Sequence, residues 1–297
     1  MRSKVTALYE IDKIAVPAAL CAWQVSDAEI DGRIAALSLE YAAEMPAETA
    51  AAGDSVFCRG AENAPLSDRT VLLFPGRAIP GAESAETAVV GKKAGEQVAV
   101  TVAGTETTLT VEKILRHVPA PVDDALIRKL GIDGVQTLAA YRAWFREEQE
   151  QQNRSMAVQQ ITSHLLQTLT ECSAYAVDGE EMDGWTGQRA EQMFQYMLEE
   201  GEDPRLPEEG FEILTDEQAI AQIARSLEPR FKETLICQTL CQENGIRFTA
   251  EDVREELEQY RAQGAENVDE AQILDNKYYF AAWTILENRA KAFLEGR

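Results

Sequence analysis

Few residues in this chain of 297 have the types and spacing that bond-making chemistry requires. Its two histidines, His117 and His164, have no cysteine or carboxylate at ligand spacing, and no Gly-rich phosphate loop, GxSxG elbow or HExxH zinc pair occurs. Cys237 and Cys241 stand four apart on one helix face, but no further Cys or His lies nearby in sequence to complete a metal set. Apolar packing is their expected role. No cofactor and no metal is expected. What remains is non-covalent chemistry. Met182, Trp185, Met193, Phe194, Tyr196 and Met197 crowd one short stretch, and soft thioethers beside aromatic rings can cover many different apolar sequences weakly. The same stripe would also serve as the packed face of a helix, and spacing alone leaves both roles open.

The charge around that stretch is one-sided. From Asp178 to Glu217 there are 14 acidic residues and 2 basic ones, a local balance of -12. That is either a solvated face or a means of keeping an apolar surface from self-association. The whole chain has 28 Lys+Arg against 51 Asp+Glu, a formal net charge of -23, so phosphate backbones and anionic lipids repel it. Nucleic acid and membrane surfaces are therefore excluded as expected partners. No window has the eighteen or so consecutive apolar residues of a membrane span, and the first twenty residues lack a basic start followed by an apolar run. Five cysteines without framework spacing fit reduced thiols, so a cytoplasmic location is expected.

The elements that must position these residues change character along the chain. Residues 5–25 read as extended around Pro17. Ser26-Asp27-Ala28-Glu29 is a capping box, and Ile30, Ile34, Leu37 and Tyr41 continue it as a helix ending near Pro46. A sheet follows, opened by Asp54 to Arg59. Val98, Val100 and Val102, then Leu109 and Val111, alternate with polar or small residues and predict a hairpin across Ala103 to Glu106. Pro119 and Pro121 end the sheet, and Val122-Asp123-Asp124 starts a helix with acids at its positive end. From 137 onward the period is near 3.6. One long helix carries Leu138, Tyr141, Phe145, Ile161, Leu165 and Leu169, and its Glu/Gln-rich middle, Glu147 to Asn153, suits a solvated bridge between packing units. Pro229 should kink a later helix, and Asn244-Gly245 and Gly264 mark stops. The expectation is an α+β protein: an N-terminal extended segment and linker helix over 1–48, a small antiparallel sheet domain over 49–118 and an elongated all-helical domain over 119–297.

Several runs resemble the trigger factor family of bacterial chaperones. They are Gln24 to Asp31, Gly76-Arg77-Ala78-Ile79-Pro80-Gly81, Gly91-Lys92-Lys93-Ala94-Gly95-Glu96, and Val122-Asp123-Asp124 followed by Ile127 to Gly131. The resemblance implies an FKBP-like peptidyl-prolyl cis-trans isomerase domain (rotamase) followed by helical chaperone arms that hold unfolded or nascent polypeptides. In that family a dry apolar pocket favours the twisted prolyl amide without acid, base or nucleophile. Ile79 matches the isoleucine whose amide contacts the substrate carbonyl, and Phe57 and Phe74 are candidates to fill the pocket. Ala82 replaces the aromatic floor, Ala78 a larger apolar residue, and the flap shrinks to Ala103-Gly104, so the isomerase is expected to be degenerate. Trp185, Met193 and Met197 are the candidate client contacts. The chain starts where the family's ribosome-binding domain would end, and with no basic loop ribosome binding is not expected. Two rival readings are an active FKBP-type isomerase assisting folding and an assembly factor dedicated to one partner.

Overall fold

The computed structural model describes residues 2–60, 69–76, 83–102, 105–206, 213–262 and 270–296. In chain order they form β1 (Lys4–Ala7), α1 (Asp27–Glu40), β2 (Ala43–Pro46), β3 (Ser55–Gly60), β4 (Thr70–Leu73), α2 (Glu83–Ala88), β5 (Gln97–Val102) and β6 (Thr105–Val118). There follow α3 (Asp124–Lys129), α4 (Leu138–Cys172), β7 (Ala174–Ala176), α5 (Gly179–Glu199), α6 (Asp216–Glu243), α7 (Ala250–Ala262) and α8 (Glu270–Glu295). The fold is α+β, as expected. The chain divides into two compact units, Val25–Glu150 and Met1–Gln24 with Gln151–Arg297, and the division falls inside the Glu/Gln-rich stretch of α4.

The Val25–Glu150 unit is built on β6, the longest strand. The sheet order is β2-β6-β3-β4, all antiparallel, and β5 pairs with the first half of β6 on the edge that β2 occupies further along. Alternation decides its two faces. Val56, Cys58, Leu73, Val98, Val100, Leu109 and Val111 are buried together with Ala85 and Val89, so α2 belongs to the covered face. Pairing of Val102 with Thr105 leaves a connection of two residues, shorter than the expected four, and those two lie outside the described residues. The segment expected to finish α1 near Pro46 is instead β2. Its Ala43–Pro46 backbone finds the free edge of β6 at Leu115 to Val118, and an edge position tolerates the proline.

Gly76 follows β4 with φ +88°, and a Cβ there would meet Ala52 Cβ at 3.0 Å, so both conformation and space require glycine. Helix α1 begins at the expected capping box: Glu29 N donates to Ser26 Oγ at 3.3 Å and Ser26 N to Glu29 Oε2 at 2.8 Å. Its Leu37 packs with Ile127, Val135 and Tyr141 in a second small core, and Arg142 and Arg146 of α4 pair with Asp31 and Asp27.

The other unit has its core between α4, α6 and α8. Ile161, Leu165 and Leu169 meet Ile236, Leu240 and Cys241 and the i, i+4 row Ala282, Leu286, Ala290 and Leu294. Cys237 is buried in the same core, and burial pushes its thiol above the ordinary range; the five cysteines are free. The N-terminal segment packs Val5, Leu8, Tyr9, Val16 and Leu20 against this core. It is less uniformly extended than its sequence suggests: β1 pairs with β7, and short 3-10 turns occupy Ile11–Lys13 and Ala18–Cys21. Glu181 clamps its start, accepting from the backbone amides of Arg2 at 2.9 Å and Ser3 at 2.6 Å. Helix α6 runs on through Pro229 as one element. The expected stop at Gly264 lies outside the described residues. Among the described residues no helix is long and apolar enough to cross a membrane, and no group of three or more His, Cys, Asp or Glu could hold a metal ion.

Candidate functional site

Helix α5 carries the Met/aromatic stretch, and burial separates its residues into two roles. Asp178 caps α5 by accepting from Glu181 N at 3.0 Å, which sets the phase of the helix. Thr186, Ala190 and Phe194, one turn apart, are all buried, and Phe194 is 2% exposed: this row is core.

Trp185 is half-buried and anchored. Its Nε1 donates to Asp275 Oδ2 of α8 at 2.9 Å, its ring meets Phe231 of α6 edge-on at 5.6 Å, and the Arg189 guanidinium lies over it at 3.8 Å. Arg189 Nη2 also reaches Asp275 Oδ2 at 2.5 Å, with both side chains largely buried. These contacts join three helices at one point, where aromatic, cation-π and charge-assisted bonds reinforce one another.

Met193 and Tyr196 turn outward, 46% and 62% exposed, with Leu198 beyond them and Met197 half-buried. The connection to α6 adds Leu206 and Ile213, 59% and 65% exposed. Arg205 organises that connection: it pairs with Asp203 at 2.8 Å and Asp216 at 3.3 Å, and its carbonyl accepts from Leu214 N at 2.9 Å. The Asp203 carboxyl is held below its usual range by that guanidinium. Both basic residues of the -12 segment are thus paired with carboxylates, Arg2 pairs with Asp178 and Glu180, and the segment keeps a large acidic excess around its exposed apolar groups. This arrangement can offer weak apolar contact.

Leu206 and Ile213 escaped sequence reading because they fall in a short connection between helices, without the periodicity that marks a face. Their signal was only that a large aliphatic residue in an acidic, Pro-bearing loop has nothing local to pack on.

Of the sheet residues singled out from sequence, Phe57 lies on β3 and Phe74 directly after β4. Phe57 alternates with Val56 and Cys58, which are buried on the covered face, so its ring occupies the opposite face, half-buried, 5.8 Å from Lys113 Nζ and cross-strand from Leu72. Phe74 is half-buried just beyond β4. Ile79, with Ala78 and Ala82, lies outside the described residues.

The class of protein defined here is α+β: an antiparallel sheet unit whose buried face is covered by α2, and a unit of long helices in which α5 and the connection after it carry exposed apolar side chains within an acidic segment. No family model matches the chain, and no curated protein matches it. Among solved structures, a chain described under "Promiscuous Substrate Recognition in Folding and Assembly Activities of the Trigger Factor Chaperone" is similar at 18% identity over 99% of this chain and 72% of its own, with a TM-score of 0.47.

Proposed function

We propose that this chain is a trigger-factor-like molecular chaperone that holds unfolded or nascent polypeptides in the cytoplasm, with a degenerate prolyl isomerase domain. The observation that carries the reading is the split on α5 and its connection. One row is packed, while Met193, Tyr196, Leu198, Leu206 and Ile213 are left open to solvent. Each such side chain contributes about 1–2 kcal/mol when a client covers it, so several together reach roughly micromolar affinity after ordering is subtracted. The acidic field favours clients that carry basic residues near their apolar ones and keeps the holder soluble while its apolar surface is open.

The test is suppression of aggregation of a chemically denatured protein by the full chain. The variant Met193→Ser, Tyr196→Ser, Leu206→Ser is expected to weaken suppression about tenfold or more with its melting temperature unchanged. A variant that suppresses as well as the parent would remove the surface from the reading.

The placement of Phe57 argues for the degenerate isomerase over the active one, since the ring faces away from the side covered by α2. A proline-containing tetrapeptide is expected to exchange at close to the uncatalysed rate, about ten to a hundred seconds. Saturable acceleration abolished by Ile79→Asp would overturn that expectation.

A further inference from the structure

The six methionines are not equally open to solvent. Met45 on β2, Met156 on α4 and Met193 on α5 have about half their surface exposed, 53%, 50% and 46%, while Met182 and Met197 are half-buried. Of these three open thioethers among the described residues, Met193 alone lies on α5. It stands one turn from Met197 on the same side of the helix and beside Tyr196.

We propose that Met193, together with Met197, is a thioether modification site at which peroxide-class oxidants weaken the holding of polypeptides. This rests on the holding reading above and adds its regulation. The thioether sulfur attacks one oxygen of hydrogen peroxide: an S–O bond forms as the O–O bond breaks. Sulfur is oxidised by two electrons, and the departing hydroxide takes the proton of the transferred oxygen and leaves as water. Net charge does not change. A flexible apolar side chain becomes a strongly hydrated hydrogen-bond acceptor, and covering it with an apolar client then requires stripping that hydration. The neighbours deepen the effect, because a client that covers Tyr196, one turn from Met193 on the same side of the helix, also covers the sulfoxide. Met45 and Met156 have equal access to oxidant on other elements, so they serve as internal controls.

The whole chain is treated with hydrogen peroxide and then with dithiothreitol, which returns a sulfenic acid or disulfide at the exposed Cys172 to the thiol but leaves sulfoxides in place. Peptide mass spectrometry follows each methionine, and aggregation suppression is measured before and after. The parent is expected to lose about tenfold in holding as Met193 gains one oxygen. The ratio of treated to untreated holding should stay near one in M193L/M197L, whatever that variant's starting level. M45L/M156L should start at the parent's level and lose as much as the parent. A parent that holds equally well with Met193 oxidised, or an M193L/M197L chain that loses as much as the parent, overturns the proposal. The untreated arm tells the two readings apart: a parent that holds nothing before peroxide defeats the holding reading and this proposal with it.

Discussion

Asp54 and Glu86 are both buried carboxylates of the sheet unit, and they are balanced in opposite ways. Asp54 accepts from Arg116 Nε at 3.0 Å and Nη2 at 2.9 Å and from Ala51 N at 2.9 Å, and the guanidinium holds its carboxyl below the usual aspartate range. A depressed folded pKa contributes stability that is fully present above the unfolded value of about 3.9 and is lost as pH falls through the folded one. Asp54→Asn is therefore expected to destabilise the protein by about 2 kcal/mol at neutral pH and to flatten the acid limb of its melting curve below about pH 4. Equal acid sensitivity in parent and variant would refute that assignment. Among the described residues Glu86 has no hydrogen-bond partner for either carboxylate oxygen, although it is 2% exposed beside Ala85 and Val89. Replacing an unsatisfied buried acid by an apolar group of similar length removes a penalty of about 1–3 kcal/mol, so Glu86→Met should raise the melting temperature where Asp54→Asn lowers it.

At the scale of elements, the exposed end of α5 depends on what secures its root. Arg189 and Asp275 form a largely buried ion pair that also takes the Trp185 indole N–H, and Gln238 of α6 donates to the other Asp275 oxygen at 3.4 Å. Removing one member of such a pair leaves a desolvated charge behind. Asp275→Ala should cost about 3 kcal/mol and change the environment of Trp185, while Asp275→Asn, which keeps an acceptor for the indole, should cost less. Chemical denaturation followed by tryptophan fluorescence separates the two. Equal losses would mean that packing of Trp185 on Phe231, rather than the carboxylate, holds the root. The same geometry makes Met193 and Tyr196 better probes of the proposed holding than Trp185: truncating the indole would disturb three helices at once.

Across the whole molecule the dominant physical quantity is charge. At -23 the chain meets RNA with long-range repulsion that no described basic cluster offsets, and repulsion between like-charged surfaces is strongest at low salt. Vacant ribosomes should therefore fail to co-sediment this chain, and lowering the ionic strength should not bring it down. Stoichiometric pelleting at low salt that disappears at moderate salt would contradict the charge argument. Apolar holding has the opposite signature: screening removes little of it, so aggregation suppression should persist from low to moderate salt.

Local chemistry alone determined much of this protein. Ser26 and Glu29 start α1, Asp123 starts α3, the alternation of Val98, Val100, Leu109 and Val111 makes strands, and the 3.6-residue period from 137 makes long helices, because each is settled within a few residues of chain. The Glu/Gln run at Glu147 to Asn153 likewise marked where packing divides, since such a face has no core to join. Tertiary structure decided what depends on distant partners. Ala43–Pro46 is a strand only because β6 offers it an edge, and β1 only because β7 does. Phe57 faces away from α2 through the parity of β3, which is set by which of its faces finds Ala85 and Val89. The Met/aromatic stretch is the sharpest case. Its spacing fitted both packed core and open surface, and only the position of α6 and α8 put Phe194 inside, tied Trp185 to Asp275, and left Met193 and Tyr196 in water.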